Sequence, residues 1–292
     1  MIRVGVAGWS YDDWEGIVYP ARKPARFDRL AYLAGFFDTL EINSTFYRIP
    51  EIKTTLSWTR RVKERQGFRF TAKLYQGFTH KRTELRGDEE TAFKRAMEPL
   101  LEADILGAVL AQFPYSFRPG PASREILERI IEAFGALRLV LEIRHADWDR
   151  PELFDFLRQC NVGFCNLDQP GVARSIGPTE VSTSPVGYAR LHGRNAENWF
   201  KKQAEPWERY DYLYTEEELL PWVARTRRIA EQSTDVFVIA NNHYRGKAPL
   251  AALTLLAMLR GEKVAAPAEL VAAYPQIAPR AIPKGTAQGR LF

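Results

Sequence analysis

Short apolar runs, each closed by a cluster of polar residues, set the rhythm of this chain. Residues 2–8, 39–43, 68–74, 106–113, 137–143, 162–167, 186–191 and 235–241 read as strands, several of them rich in β-branched side chains. Between most of them, residues 27–37, 52–65, 89–103, 123–134, 151–159, 216–232 and 248–260 carry the pattern expected of helices. Ser123, followed by Glu125, is the expected cap of its helix. The crossover 168–185 is the exception, being rich in Gly, Pro, Ser and Thr without helical period. Strands alternating with helices imply a parallel sheet covered on both faces, and eight such units are enough to close it. The expected fold class is therefore α/β, a (β/α)8 TIM-type barrel with enlarged loops at its C-terminal mouth. A barrel domain over residues 1–266 is expected to be followed by a Pro-rich tail, 267–292, that drapes over the surface before becoming mobile.

The length of 292 residues suits such a barrel with a few long loops. A net charge of +5 and a pI near 9.1 favour an anionic partner, phosphate or nucleic acid, but only mildly. The chain enters a strand at residue 2, so no secretory signal is expected. Its longest apolar stretch, 250–259, is too short to span a bilayer, which argues against a membrane partner. Cys160 and Cys165 have neither C-x-x-C spacing nor a disulfide framework, and a cytoplasmic location is the simplest reading.

Side chains alternate along a strand, so residues two apart share a face. Glu41 with Asn43, Glu142 with Arg144, Arg190 with His192 and Asn241 with His243 thus point together at strand ends, where barrels of this kind carry their active sites. The expectation is a site in which Glu41, Asn43, Lys73, Arg144, Arg190, Arg194 and Asn241 bind substrate, helped by Trp9 and Tyr47. Glu142 or Asp168 is the expected general base, and His192 or His145 the acid. The plainer reading is a structural layer of ion pairs capping the barrel. His192-Gly193-Arg194 follows the seventh strand, where barrels often bind phosphate, and Arg190 and Arg194 are the expected anion fork. Lys73 admits a Schiff-base role, but a nearby carboxylate would keep it charged, so electrostatic duty is expected. A divalent metal is the minor alternative as cofactor, because guanidinium groups beside the candidate His and carboxylate ligands oppose a cation. Most of the aromatic residues in the loops are expected to pack, with one or two meeting ligand.

The stretches AGWSYDDWEGIVYP, EINSTFYRIP, FRFTAKL followed by THKR, LGAVLAQFPYSF, LEIRHADW, YARLHGR and FVIANNHYRGKA resemble the YecE-like family, known as domain of unknown function 72. They run through nearly the whole barrel. The resemblance implies a (β/α) barrel similar in shape to apurinic endonucleases and xylose-isomerase-type enzymes, although the metal ligands of those endonucleases do not map cleanly onto a motif here.

Three functions compete: a nucleic-acid hydrolase acting on phosphodiester or N-glycosidic bonds, an enzyme for a small anionic metabolite such as a sugar phosphate, and a non-catalytic binding module. Basic charge spread around the mouth favours the first, and an enclosed pocket the second. The C-terminal residues tip the expectation to nucleic acid. Gln288, Leu291 and Phe292 resemble the short peptide with which bacterial DNA-maintenance proteins dock onto the replication sliding clamp, the apolar pair filling a pocket and the amide bonding at its rim.

Overall fold

The computed structural model describes residues 1–81, 87–201, 203, 205 and 207–285. Eight parallel strands close into a barrel in chain order: β1 (Ile2–Ala7), β2 (Thr39–Ile42), β3 (Arg69–Lys73), β4 (Leu106–Gln112), β5 (Leu139–Glu142), β6 (Gly163–Asp168), β7 (Val186–Leu191) and β8 (Asp235–Ala240). Closure comes from β1 against β8, in register from Ile2 opposite Val236 to Val6 opposite Ala240. Closure leaves the barrel without a free edge strand.

Around the barrel lie α1 (Arg29–Leu33), α2 (Ile52–Val62), α3 (Gln76–Thr79), α4 (Gly87–Glu102), α5 (Pro121–Phe134) and α6 (Pro151–Gln159). The series continues with α7 (Ala196–Trp199), α8 (Glu216–Glu231), α9 (Lys247–Arg260) and α10 (Ala268–Ala273). The outer helices are amphipathic. Helix α2, for instance, buries Thr55, Trp58 and Val62 and exposes Arg60, while Arg61 is half-buried against Asp28. Helix α8 starts with a capping box between Thr215 and Glu218. Helix α9 is apolar on nearly all sides because it packs against β1, β8 and α8 and is also covered by the C-terminal segment.

Two expectations change. Helix α5 starts at Pro121 with Gly120 at its cap position, not at Ser123, because proline is preorganised for the first helical turn. The segment after residue 266 is more structured than a draped tail. The short parallel pair β9 (Val264–Pro267) and β10 (Ala281–Lys284) brackets α10, and Leu270, Ile277 and Ala281 are buried in the core. The clamp-docking residues Gln288, Leu291 and Phe292 lie outside the described residues. As expected, the crossover 168–185 is irregular; Asn166 holds it by donating to the Val181 carbonyl and accepting from Thr179 and the Val181 amide.

Gly5 is a point where the barrel tolerates no side chain, since a Cβ there would sit 1.8 Å from the carbonyl oxygen of Thr39 on β2. Gly5→Ala must therefore push β1 and β2 apart. We expect a loss of at least about 1–3 kcal/mol of unfolding free energy, read from urea denaturation. An unchanged midpoint would show that the strands yield freely there.

Candidate active site at the barrel mouth

The innermost layer of the mouth is an ion cluster. Arg190, on β7, donates from Nη1 to Glu142 Oε2 at 2.5 Å and from Nη2 to Glu41 Oε1 at 2.7 Å, and none of the three is more than 1% exposed. The hydroxyl of Tyr188, two residues before Arg190 on the same inward face, donates to Glu41 Oε2 at 2.9 Å. Arg144 donates from Nε to Glu142 Oε1 at 2.8 Å. His192 Nε2 lies 3.2 Å from the same oxygen, and Asn241 Nδ2 is 3.0 Å from the other ring nitrogen. With the Asn241 amide donating to Nδ1, the ring proton sits on Nε2 and is directed at Glu142.

These contacts set the protonation states. Burial pushes the Glu142 carboxyl up, but Arg190, Arg144 and His192 outweigh it and hold its pKa well below the usual range. Burial, reinforced by Arg144, lowers His192 to about 3 against the pull of Glu142, so its imidazole is neutral. Lys73, at the end of β3, is the unusual member. Among the described residues its ammonium has no ion-pair or hydrogen-bond partner within bonding distance, and it sits 4.0 Å from the centre of the Phe46 ring. Burial and then Arg190 lower its pKa to about 7, with Glu41 and Glu142 acting in the opposite sense.

Above the cluster opens a cavity of about 340 Å³, into which Lys73, Arg144, Arg209 and His80 project between Tyr47, Tyr115 and Tyr210. No carboxylate is among the described residues lining it. The long loop after β7 covers the cavity, bringing Trp199, Phe200, Arg209 and Tyr210 over it. The Nε of Arg209 is buried without a hydrogen-bond partner. A second, uncharged cavity of about 440 Å³ shares the Tyr47 wall and is lined by Trp9, Tyr11, Asn43, Trp58 and His243.

The expected substrate-binding residues therefore separate. Lys73, Arg144 and Tyr47 face the cationic cavity, Asn43 and Trp9 the uncharged one. Glu41, Arg190 and Asn241 form the floor. The anion fork of Arg190 and Arg194 is not assembled: Arg190 is held by two carboxylates, and Arg194 grips Asp168 with Nε and Nη2, both at 2.9 Å. The Gly193 amide, expected to approach a phosphate, donates to the Tyr214 hydroxyl at 2.9 Å.

The expected acid–base pairing is not assembled either. Glu142 is a clamped carboxylate and a weak base. Asp168 is turned outward to α8, where Trp222 Nε1 also donates to it at 2.7 Å. His192 is fully buried. His145 stands behind Tyr115, ring centres 5.0 Å apart, with Nδ1 accepting from the Asp147 amide. The premise behind the charge expected on Lys73 changes, since the nearby carboxylates are occupied by arginines. Trp148 packs on Phe117, as most loop aromatics were expected to pack. Among the described residues no group of three or more His, Cys, Asp and Glu side chains is placed to hold a metal ion, and no helix is long and apolar enough to cross a membrane.

Sequence reasoning overlooked Tyr188 and Arg209. Tyr188 shares strand parity with Arg190 and His192, which is the signal that marks it. Arg209 is placed by a long connection, and no local spacing marks it.

The chain has known relatives. The family model described as "Protein of unknown function DUF72" matches residues 3–275, and the chain belongs to that family. The UPF0759 protein YunF of Bacillus subtilis is 29% identical over 262 residues, covering 85% of this chain and 91% of YunF. The UPF0759 protein YecE of Escherichia coli K12 is 27% identical over 194 residues, 66% of this chain and 63% of YecE. The crystal structure of a DUF72 family protein from Thermotoga maritima is 36% identical, with a TM-score of 0.80 over 89% of this chain and 99% of the other. One from Enterococcus faecalis is 27% identical, with a TM-score of 0.78 over 89% and 96%.

Two stability effects follow from the cluster. Arg190→Met leaves buried Glu41 without a cation and Glu142 with Arg144 as its one remaining guanidinium partner, and should cost about 3–5 kcal/mol by urea denaturation; a loss under about 1 kcal/mol would contradict the clamp. Lys73→Met should stabilise the fold. The lysine has a folded pKa near 7 against 10.5 ordinarily, so the wild type regains stability as pH rises between these values. The advantage of the variant is thus greatest below pH 7 and fades toward 10.5. A pH-independent difference would show that Lys73 titrates normally.

Proposed function

We propose that the protein is a barrel enzyme that takes a small anionic ligand into the cationic cavity at its mouth. The observation that carries this reading is the lining: Lys73, Arg144 and Arg209 face the cavity and no described carboxylate does. Guanidinium groups suit the oxygens of a phosphate or carboxylate, and the low polarity around them strengthens the attraction. The cavity is partly closed by the loop after β7 and is of a size for a small metabolite rather than a duplex. Lys73, poised between charged and neutral at physiological pH, is the residue best suited to exchange protons with the ligand.

A second reading, the end of a nucleic-acid strand, is favoured by one feature. Tyr47 and Phe200 stand at the cavity rim 67% and 47% exposed, as rings offered to a base would.

Sulfate tests the first reading well because its charge is constant over the relevant pH range. Millimolar sulfate should raise the melting temperature of the wild type, and Arg209→Gln should lose most of that shift. Affinity should weaken as pH rises through about 7, where Lys73 loses its charge, and Lys73→Arg should abolish that pH dependence. An equal sulfate shift in Arg209→Gln and Arg144→Gln would move the anion elsewhere. Binding of a short single-stranded oligonucleotide much tighter than sulfate or a nucleoside monophosphate would favour the second reading.

A further inference from the structure

We infer that Lys73 is a nucleophile that forms an imine with an aldehyde or ketone carrying a phosphate or carboxylate group. The inference rests on the proposed anion site and names the substrate class that the site takes.

The geometry supports it in three ways. First, Lys73 is held on rigid scaffold at the C-terminal end of β3, nearly all of its side chain is buried, and it lines the cavity. Its aim is therefore fixed by packing, not by a flexible loop. Second, the groups around it keep it from acting as half of an ion pair. Glu41 on β2 is engaged by Arg190 and Tyr188, and Glu142 at the end of β5 by Arg190 and Arg144. His192, also bonded to Glu142, is neutral. The remaining titratable groups around the cavity are His80 after α3, Tyr47 after β2, Tyr115 after β4, and Arg209 and Tyr210 from the loop after β7. Third, the floor carries more positive than negative charge whenever Lys73 is protonated, since Arg190 and Arg144 already balance the two carboxylates. That surplus favours the free amine, the form that attacks carbonyls.

In the reaction the Nζ lone pair adds to the carbonyl carbon and the C=O π electrons move to oxygen. A proton passes from nitrogen to that oxygen to give a carbinolamine. The C–O bond then breaks, and the oxygen leaves as water with both former amine hydrogens, leaving a C=N bond to Lys73. No oxidant or reductant is consumed. Arg144 and Arg209 hold the anionic group meanwhile, and the phenols of Tyr47, Tyr115 and Tyr210 line the space where oxygen is protonated.

The test uses pyridoxal 5′-phosphate as an anionic aldehyde probe. The full-length protein is exposed to a substoichiometric amount, trapped with borohydride and mapped by peptide mass spectrometry, with and without sulfate. Lys73 should carry roughly tenfold more label than the exposed Lys53 and Lys63, and sulfate should suppress only that label. Pyridoxal, which lacks the phosphate, should label Lys73 far less. Label spread evenly over surface lysines would overturn the nucleophile, while a persisting sulfate shift would leave the anion site standing. Strong Lys73 labelling unaffected by sulfate would do the reverse, keeping the nucleophile and rejecting the anion site.

Discussion

The arrangement of the mouth depends on one buried guanidinium held between two carboxylates. Arg190 reaches from β7 across the barrel interior to Glu41 on β2 and Glu142 on β5, strands that are not neighbours in the sheet. Removing these charges from water costs several kcal/mol each, and only the complete set of partners offsets it. The cluster therefore demands a particular barrel register, because a one-residue slip of any of the three strands would turn its charge outward. Such a cluster is weak evidence of net stability, and its value here lies in what it does to its neighbours.

Its main effect falls on Lys73. With Glu41 and Glu142 each satisfied by arginine, the amine is left at the cavity floor over an aromatic ring, next to cations and without a carboxylate of its own. The same clamp disqualifies Glu142 as a base and, through the hydrogen bond to His192, turns that imidazole into a buried strut. The proposed acid–base role accordingly falls to Lys73, a residue that looked purely electrostatic. The long loop after β7 adds the other half of the site, because it lays Arg209 and Tyr210 over the opening.

Much of this was legible in the chain. The strand and helix rhythm predicted the closed barrel, and the two-residue parity correctly grouped Glu41, Glu142, Arg144, Arg190 and His192 on one inner face. Parity also paired Asn43 with Glu41 and His243 with Asn241, yet Asn43 and His243 line the uncharged cavity, apart from their partners in the floor. At β6 every residue is buried, so burial alone does not mark the inner face. Asp168 shares its face with Phe164, which packs on Phe154 of α6, and this marks that face as outward. Pairing partners were not legible. Whether Arg190 meets a ligand or two carboxylates depends on distances across the barrel that no local spacing encodes, and the position of Arg209 depends on the path of a long irregular loop. The plainer reading of an ion-pair layer was right for the floor, and the proposed ligand site is the cavity above it.

The titration of Lys73 itself is the most direct test, followed by NMR of the selectively labelled lysine side chain. The expected result is a midpoint near 7 that moves upward when sulfate is added, since a bound anion favours the ammonium. A midpoint near the ordinary 10.5, insensitive to sulfate, would contradict both the charge balance of the floor and the role assigned to the cavity above it.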